Sequence, residues 1–461
     1  MLAPFRRATA RQVIFGAYAF GPSLLLYLLP LPFSRIPLVV YLNYNRETVV
    51  AGRFVALAVA VAFVWFLVAG GLVLWPAAKR AAPRDWPAPV LWWAFIAFSL
   101  LGSAISLFHT GFEAPATVEE IINQLAFAPV IGCLLGVQIL RGLAGPVSRP
   151  ASVAVWGLIA LDLVVALAVP LLLGRATPVA LGLIAILYGL TVVGIPGRRL
   201  AVLVVLFLVI IGAALPLREY LRATLDTGTG IQRTLGPARS AQARGRAPEG
   251  SQQPGSFEND RLDVFNPWVQ GFWFHRARSR PLLLLQFGVA RAIHRINRLS
   301  DLAYIVELTP RTIPYTHGTT YAPLIGAAVP RVLWPNKPAE EAGQFYGHRY
   351  GFLDPSDTSH SDNLPIVVEG WISGGWAGVL ASALFVGLVL RVIWTYWIGD
   401  GTAPGTVMIG MAVIGTVADG DSNLSLVMGG VAHALLIYWA LDVLIRAWGR
   451  ARVARRIATS A

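Results

Sequence analysis

A chain that returns again and again to apolar, nearly uncharged runs of roughly 20 residues has few ways to fold. A hydrocarbon core about 30 Å thick offers the backbone no partner but itself. Such runs recur along this sequence: residues 15–30, 53–75, 89–108, 121–140, 151–173, 178–194 and 200–217. After a long polar interval come 374–398, 404–417 and 424–445. The run at 404–417 is the shortest and suits a re-entrant helix as well as a spanning one. Charged residues make up only 13% of the chain and hydrophobic ones 56%, against about 25% charged in soluble domains. The sequence therefore predicts an all-α polytopic integral membrane protein. It has about ten transmembrane helices and one large loop region with amphipathic, interfacial helices.

Charge orients these spans, because basic residues collect on the cytoplasmic side. With the N-terminus inside, the inner connections carry Arg6, Arg7 and Arg11; Lys79, Arg80 and Arg84; Arg141 and Arg149; Arg198 and Arg199; and a tail with Arg446, Arg450, Arg452, Arg455 and Arg456. The outer connections carry Glu113, Glu119 and Glu120, then Arg175, then Asp419 and Asp421. Both termini are then cytoplasmic and the polar interval lies outside. The chain divides into a bundle of about seven spans (1–217), the outer region (218–373), and a bundle of about three spans with a basic tail (374–461).

Within the outer region, residues 226–256 are rich in Gly, Pro, Ser, Gln and Arg and cannot bury a core, so they read as disordered or mobile. Phe272, Trp273 and Phe274 suit the membrane interface. Residues 281–308 carry apolar side chains at spacings of three and four. Arg291, His294, Arg295 and Arg298 fall on the opposite face within about 100° of arc, as in an interfacial helix. Such a face suits anionic headgroups or a lipid pyrophosphate.

Several chemistries lack their signatures. No glycine-rich phosphate loop follows a strand, and no HExxH or paired CxxC is present. His348 and His360 flank several carboxylates, yet their spacing fits no standard metal pattern, so no metal site is assigned. The lone Cys133 sits in an apolar run and reads as a small core residue. Asp162, His433 and Asp442 are few for an ion-coupled transporter, and Asp442 faces Arg446 at i+4.

What stands out is residues 297–375. Five of the seven histidines lie in the outer region, and His is the side chain best placed to take a proton near neutral pH. Arg331 and Lys337 bracket a proline-stiffened VPRVLWPNKP. Tyr346, His348, Arg349 and Tyr350 follow within about a turn of helix. Asp362, Asn363 and Glu369 come just before the chain re-enters the membrane. Guanidinium groups grip phosphate bidentately and keep their charge.

The runs TPRTIPYTHGTTY, VPRVLWPNKP, GQFYGHRYG and SHSDNLPIVVEGWISGGWAG resemble the oligosaccharide repeat-unit polymerase (O-antigen polymerase, Wzy-type) family across residues 301–378. The resemblance implies a glycosyltransferase of the bacterial inner membrane with GT-C-like architecture. It would work at the periplasmic face on undecaprenyl-pyrophosphate-linked oligosaccharides as donor and acceptor. It further implies no cofactor and no nucleic acid, with a chain-length regulator and a flippase as companions. Two features depart from the family pattern: GWISGG stands where relatives carry an aromatic-Asn-Phe-Gly turn, and the 226–256 insert is unusual.

On this reading the acceptor hydroxyl loses its proton to His348, or else Glu369. Arg331, Arg349, Arg311 and Lys337 hold the pyrophosphate, with Arg298 on the docking face. Asp301, Asp362 and Asn363 orient arginines or bind sugar hydroxyls. Arg331 also suits interfacial snorkelling, and Asp301 a salt bridge to Arg298. The rival readings are an O-antigen ligase, a transporter of lipid-linked glycans and a scaffold of an export complex.

Overall fold

The computed structural model describes residues 9–33, 53–75, 86–108, 121–122, 124–172, 176–206, 297–337, 341–353, 355, 357–358, 361–362 and 364–460. Among them all regular structure is helical and no strand occurs. The expected features at 226–256, at Phe272–Trp273–Phe274, at His360 and at Asn363 lie outside the described residues, as does most of the run at 200–217. Two compact units emerge. The larger comprises Met1–Leu28, Ala56–Leu200 and Asp301–Ala461, and the smaller Leu29–Val55 and Ala201–Ser300. In the smaller unit Asn297 Oδ1 accepts the Ser300 N–H at 3.3 Å, a helix cap. That cap corrects the sequence expectation of one helix over 281–308: residues 297–298 are non-helical and the helix starts at Leu299.

The larger unit is a bundle. Its helices are α1 (Ala10–Leu28), α2 (Arg53–Val64, running on through Trp65–Gly70 to Gly71–Leu74), α3 (Ala88–Phe108), α4 (Ala128–Leu140), α5 (Arg149–Leu163, running on to Ala168) and α6 (Ala176–Val192). Then come α7 (Leu299–Leu308), α8 (Leu324–Ala328), α9 (Ala342–Arg349), α10 (Ile366–Ile393, running on through Trp394–Ile398), α11 (Pro404–Val417) and α12 (Leu424–Ser460). Among the described residues, six helices are long and apolar enough to cross a membrane: Ala10–Pro32, Ala56–Leu74, Ala88–Leu107, Arg149–Ala168, Ile366–Ile398 and Leu424–Arg452. The chain is a helical, multi-pass membrane protein.

At the centre lies α11. Its 14 residues are apolar nearly all round and all but Thr416 are buried, as befits a helix enclosed by others. At 1.5 Å per residue it reaches about 21 Å, short of a full span. Its glycines let neighbours approach. A Cβ on Gly410 would stand 2.7 Å from the Tyr188 hydroxyl, and one on Gly415 2.4 Å from the Phe127 ring. Small residues are how membrane helices gain contact where lipid supplies no hydrophobic drive. Phe15 fills the next layer, 5.2 Å from the Trp394 ring and 6.1 Å from Tyr188.

Two buried carboxylates in the bundle have clear partners. Ser99 Oγ donates to Asp162 Oδ2 at 2.7 Å, where Gly132 passes too closely for a larger residue. Asp442 accepts from Trp86 Nε1 at 2.9 Å and pairs with Arg446 at 2.6 Å, the i+4 partner its spacing predicts. Cys133 is buried in α4, as a core residue should be.

One break decides where the polar stretch meets the bundle. α10 is two helices joined at Gly374 (φ −176°) and Gly375 (φ 61°). The short limb, residues 366–373, is almost wholly buried. The chain then doubles back, and a Cβ on Gly378 would sit 2.0 Å from the Gly370 carbonyl oxygen. In an unbroken helix these two residues would be about 12 Å apart along the axis. The long limb, 376–398, supplies the span that the sequence places at 374–398. Its Gly387 packs on the backbone of α2 at Ala69, 2.9 Å from where a Cβ would stand.

Candidate functional site

The motif TPRTIPYTHGTTY is laid across that reversal. α7 ends where the Leu308 carbonyl takes the N–H groups of Thr312 and Ile313, at 2.7 and 2.9 Å. Thr309 is fully buried and acts as a hub. Its hydroxyl meets the Tyr350 hydroxyl at 2.7 Å, and its carbonyl accepts Trp371 Nε1–H at 3.2 Å. The chain then reaches the short limb of α10, where Thr316 N–H donates to the Ile372 carbonyl at 2.9 Å. Next come two residues with positive φ, His317 (50°) and Gly318 (83°). They turn the backbone into the 3-10 turn Thr319–Tyr321. A positive φ on histidine costs about 1 kcal/mol and persists only where its surroundings impose it.

Hydroxyl contacts fasten this turn to both limbs of α10. Thr320 Oγ1 lies 3.4 Å from Ser373 Oγ, and the Tyr321 hydroxyl 2.9 Å from Ser382 Oγ. Ser382 spends its own proton on the Gly378 carbonyl at 3.0 Å, so Tyr321 is the donor in that pair. Burial, above all, holds the Tyr321 pKa above its ordinary value, and the Glu369 charge adds to this. The Tyr315 hydroxyl would stand 2.8 Å from a Cβ on Gly375. Only glycine meets both demands at that position, a positive φ and no side chain. GWISGG, a departure from the family pattern in sequence, is here the hinge of the reversal.

Two candidate cations meet at the same turn. Arg349 closes α9, its Nη2 donating to the Pro314 carbonyl at 2.8 Å while its guanidinium stacks over Phe345 at 5.4 Å. Arg311 is exposed three residues earlier in that turn. The imidazole of His317 is exposed as well, edge-on to the Tyr315 ring at 6.3 Å. α9 is seated by its aromatic face. Tyr346 and Tyr350 are buried, Phe352 lies 5.1 Å from Tyr346, and Tyr304 of α7 lies 5.6 Å from Phe352.

The other candidates have different neighbours. His348 is exposed on α9, its Nε2–H donating to the Asp357 carbonyl at 2.9 Å, which folds the following loop back along the helix. Asp362 is half-buried beside Gly343, whose missing Cβ would fall 2.5 Å from the Asp362 carbonyl oxygen. Asp301 sits in the first turn of α7, where a carboxylate complements the helix dipole. Arg298 is half-buried just before that helix.

Arg331 and Lys337 turn inward on their own loop. Arg331 Nη1 donates to the Lys337 carbonyl at 3.1 Å, and Lys337 Nζ to the Val329 carbonyl at 2.8 Å. Glu369 lies on the short limb with no exposed surface, its Oε2 accepting the Leu424 N–H at 2.8 Å. It thereby caps α12, alongside Asn423, whose Oδ1 takes the Leu426 N–H at 3.1 Å.

The arrangement therefore gathers Arg349, Arg311, His317 and Tyr315 at one exposed turn, above a hydroxyl layer of Thr316, Thr320, Tyr321, Ser373 and Ser382. Cations and hydroxyl donors of this kind bind phosphate and sugar oxygens. Sequence reasoning counts His317 among the outer histidines without giving it a role, and does not single out Tyr321 or the two serines. The signal that links them is the His-Gly pair, a left-handed turn flanked by Thr and Tyr hydroxyls.

A family described as a domain of unknown function (DUF8712) matches residues 292–418, a stretch that takes in α7 through α11. No curated protein and no solved structure matches the chain.

Proposed function

We propose that the chain is a membrane glycosyltransferase that polymerises undecaprenyl-pyrophosphate-linked oligosaccharide repeat units into a surface polysaccharide. Ten spans, cytoplasmic termini and a periplasmic region 218–373 belong to this reading. So does a GT-C-like plan in the bacterial inner membrane. Charge asymmetry and the motif resemblance support it. The observation that carries it is the turn 309–317, exposed at Arg311 and His317. It presents Arg311, His317 and the flank of Arg349, and it is hydrogen-bonded to a helix reversal in a membrane bundle. A lipid pyrophosphate and a sugar hydroxyl meet a protein at that level of a membrane.

In this mechanism the guanidinium groups of Arg349 and Arg311 stabilise the departing pyrophosphate. A histidine takes the proton from the acceptor hydroxyl as that oxygen attacks the anomeric carbon of the donor. His348 is the base that sequence reasoning favours, and its Nδ1 is the acceptor nitrogen when Nε2–H serves Asp357. The geometry favours His317, which is exposed, held in a strained backbone and adjacent to the Arg349–Pro314 contact. Glu369 acts through α12 rather than on the acceptor. Arg331, Lys337, Arg298, Asp301, Asp362 and Asn363 serve as supporting contacts for the lipid-linked glycan.

The test is the lipid-linked and surface glycan profile of a deletion strain of the native host. Glycans capped at one repeat unit are expected, with a ladder restored by the wild-type gene and not by His317→Ala with Arg349→Ala. Full-length polymer left on its lipid carrier indicates a ligase instead. An unchanged profile overturns the proposal.

A further inference from the structure

The loop that folds its cations inward turns its apolar side chains outward. Ile325 is 81% exposed, Leu333 73%, Val332 58% and Trp334 44%. They form one patch, because the Trp334 ring lies 3.7 Å from where a Cβ on Gly326 would be. Meanwhile Arg331 and Lys337 hydrogen-bond backbone carbonyls at the loop's base. This inverts the usual arrangement at a water-facing loop, where charged heads seek solvent and apolar groups are covered.

The position of the loop explains the inversion. α8 packs on α12 at Gly429, where a Cβ would stand 2.8 Å from the Ala327 carbonyl oxygen. Gly429 is five residues into the apolar run that begins at Leu424, about 7.5 Å along the helix axis at 1.5 Å per residue. Interfacial elements bury their apolar faces about 5–10 Å into the headgroup and acyl boundary. The two depths agree. A tryptophan beside two cations is also the composition of such a boundary.

We infer that residues 323–337 are a wedge dipped into the leaflet at the Leu424 end of α12, with Ile325, Val332, Leu333 and Trp334 among the bilayer's acyl chains. The bound chemistry is that of ordinary membrane lipid: acyl chains against the apolar tip and headgroup phosphates near Arg331 and Lys337. The inference stands apart from the glycosyltransferase reading, since it needs only the exposed side chains and the seat on α12. It accounts for the prolines of VPRVLWPNKP, which leave fewer N–H groups to satisfy at that depth.

The test uses the full-length protein in lipid nanodiscs, with an environment-sensitive fluorophore attached at Leu333→Cys, at Val332→Cys and at a control, Glu341→Cys, which is exposed just before α9. The native Cys133 is buried and stays unlabelled, with the parent protein as blank. Phosphatidylcholine brominated on its acyl chains is expected to remove most of the emission at 332 and 333 and little at 341. Iodide in the aqueous phase is expected to do the reverse. Quenching by iodide at 333 equal to that at 341 overturns the wedge. So does protection from both quenchers, which indicates a protein surface covering the patch. Using two labelled positions guards against one substitution that disturbs folding.

Discussion

Glu369 Oε2 accepts the backbone N–H of Leu424 at 2.8 Å, so a carboxylate on the short limb of α10 caps the N-terminus of α12. The two residues are 55 positions apart in sequence. The bond joins the buried half-helix to a 37-residue helix whose unsatisfied N–H groups and dipole favour a negative charge at that end. Through it, the polar turn 309–321 and the last span are held in one frame.

Glu369→Ala is therefore expected to destabilise the protein by about 2 kcal/mol, the range for a buried charged cap. Glu369→Gln keeps an acceptor oxygen and is expected to lose less. Thermal unfolding in detergent checks both. Wild-type stability together with lost polymer for Glu369→Gln assigns the carboxylate to the chemistry and not to the cap.

The reversal of α10 depends on backbone contact at Gly370 and Gly378. Gly378→Ala forces a methyl group against a carbonyl oxygen and is expected to cost about 3 kcal/mol, lowering both yield and melting temperature. Gly374→Ala meets open space and serves as the tolerated control. A melting temperature for Gly378→Ala equal to that of Gly374→Ala refutes the contact.

His317→Gly separates strain from chemistry. The glycine adopts the positive φ freely, so stability is expected to stay within about 1 kcal/mol of wild type. Polymer formation is expected to fall sharply if the imidazole is the base. Full polymer length with His317→Gly returns that role to His348.

The Thr309–Tyr350 contact carries a pH signature. Burial, foremost, raises the Tyr350 pKa above its ordinary value, with the Thr309 hydroxyl and Arg349 opposing. A raised tyrosine pKa means stability is fully present below the unfolded value, about pH 10, and is lost as pH climbs beyond it. Tyr350→Phe is expected to cost about 1 kcal/mol at neutral pH and to flatten part of that alkaline loss. Denaturation curves between neutral and strongly alkaline pH make the comparison.

The helices that can cross a membrane were legible in sequence because bilayer thickness and backbone hydrogen bonding act on contiguous residues. The limits of α11, the start of α12 and the Asp442–Arg446 pair all follow from such local rules. So does the helical aromatic stretch at Tyr346–Tyr350, although periodicity alone did not say that its tyrosines are core and His348 surface. Periodicity failed at 281–308, where it has no means of seeing the Asn297 side chain take a backbone N–H and start a helix at Leu299.

The sequence by itself determined that the chain is helical, membrane-spanning and interrupted by one polar stretch rich in Arg, His and aromatic residues. Tertiary structure alone decided which of those residues meet. Arg331 and Lys337 look like free cations in sequence, yet their donors reach carbonyls of their own loop. Glu369 looks like a surface carboxylate but is buried against Leu424. Arg349 finds Pro314, 35 residues away. For the contacts between the polar turn and α10, the physical reason is the chain reversal at Gly374–Gly375. Hydropathy measures how apolar a run is and carries no record of its direction, so a helix that doubles back reads the same as one that continues. The partners that Thr316, Thr320 and Tyr321 find on the two limbs of α10, at Ile372, Ser373 and Ser382, are set by that change of direction.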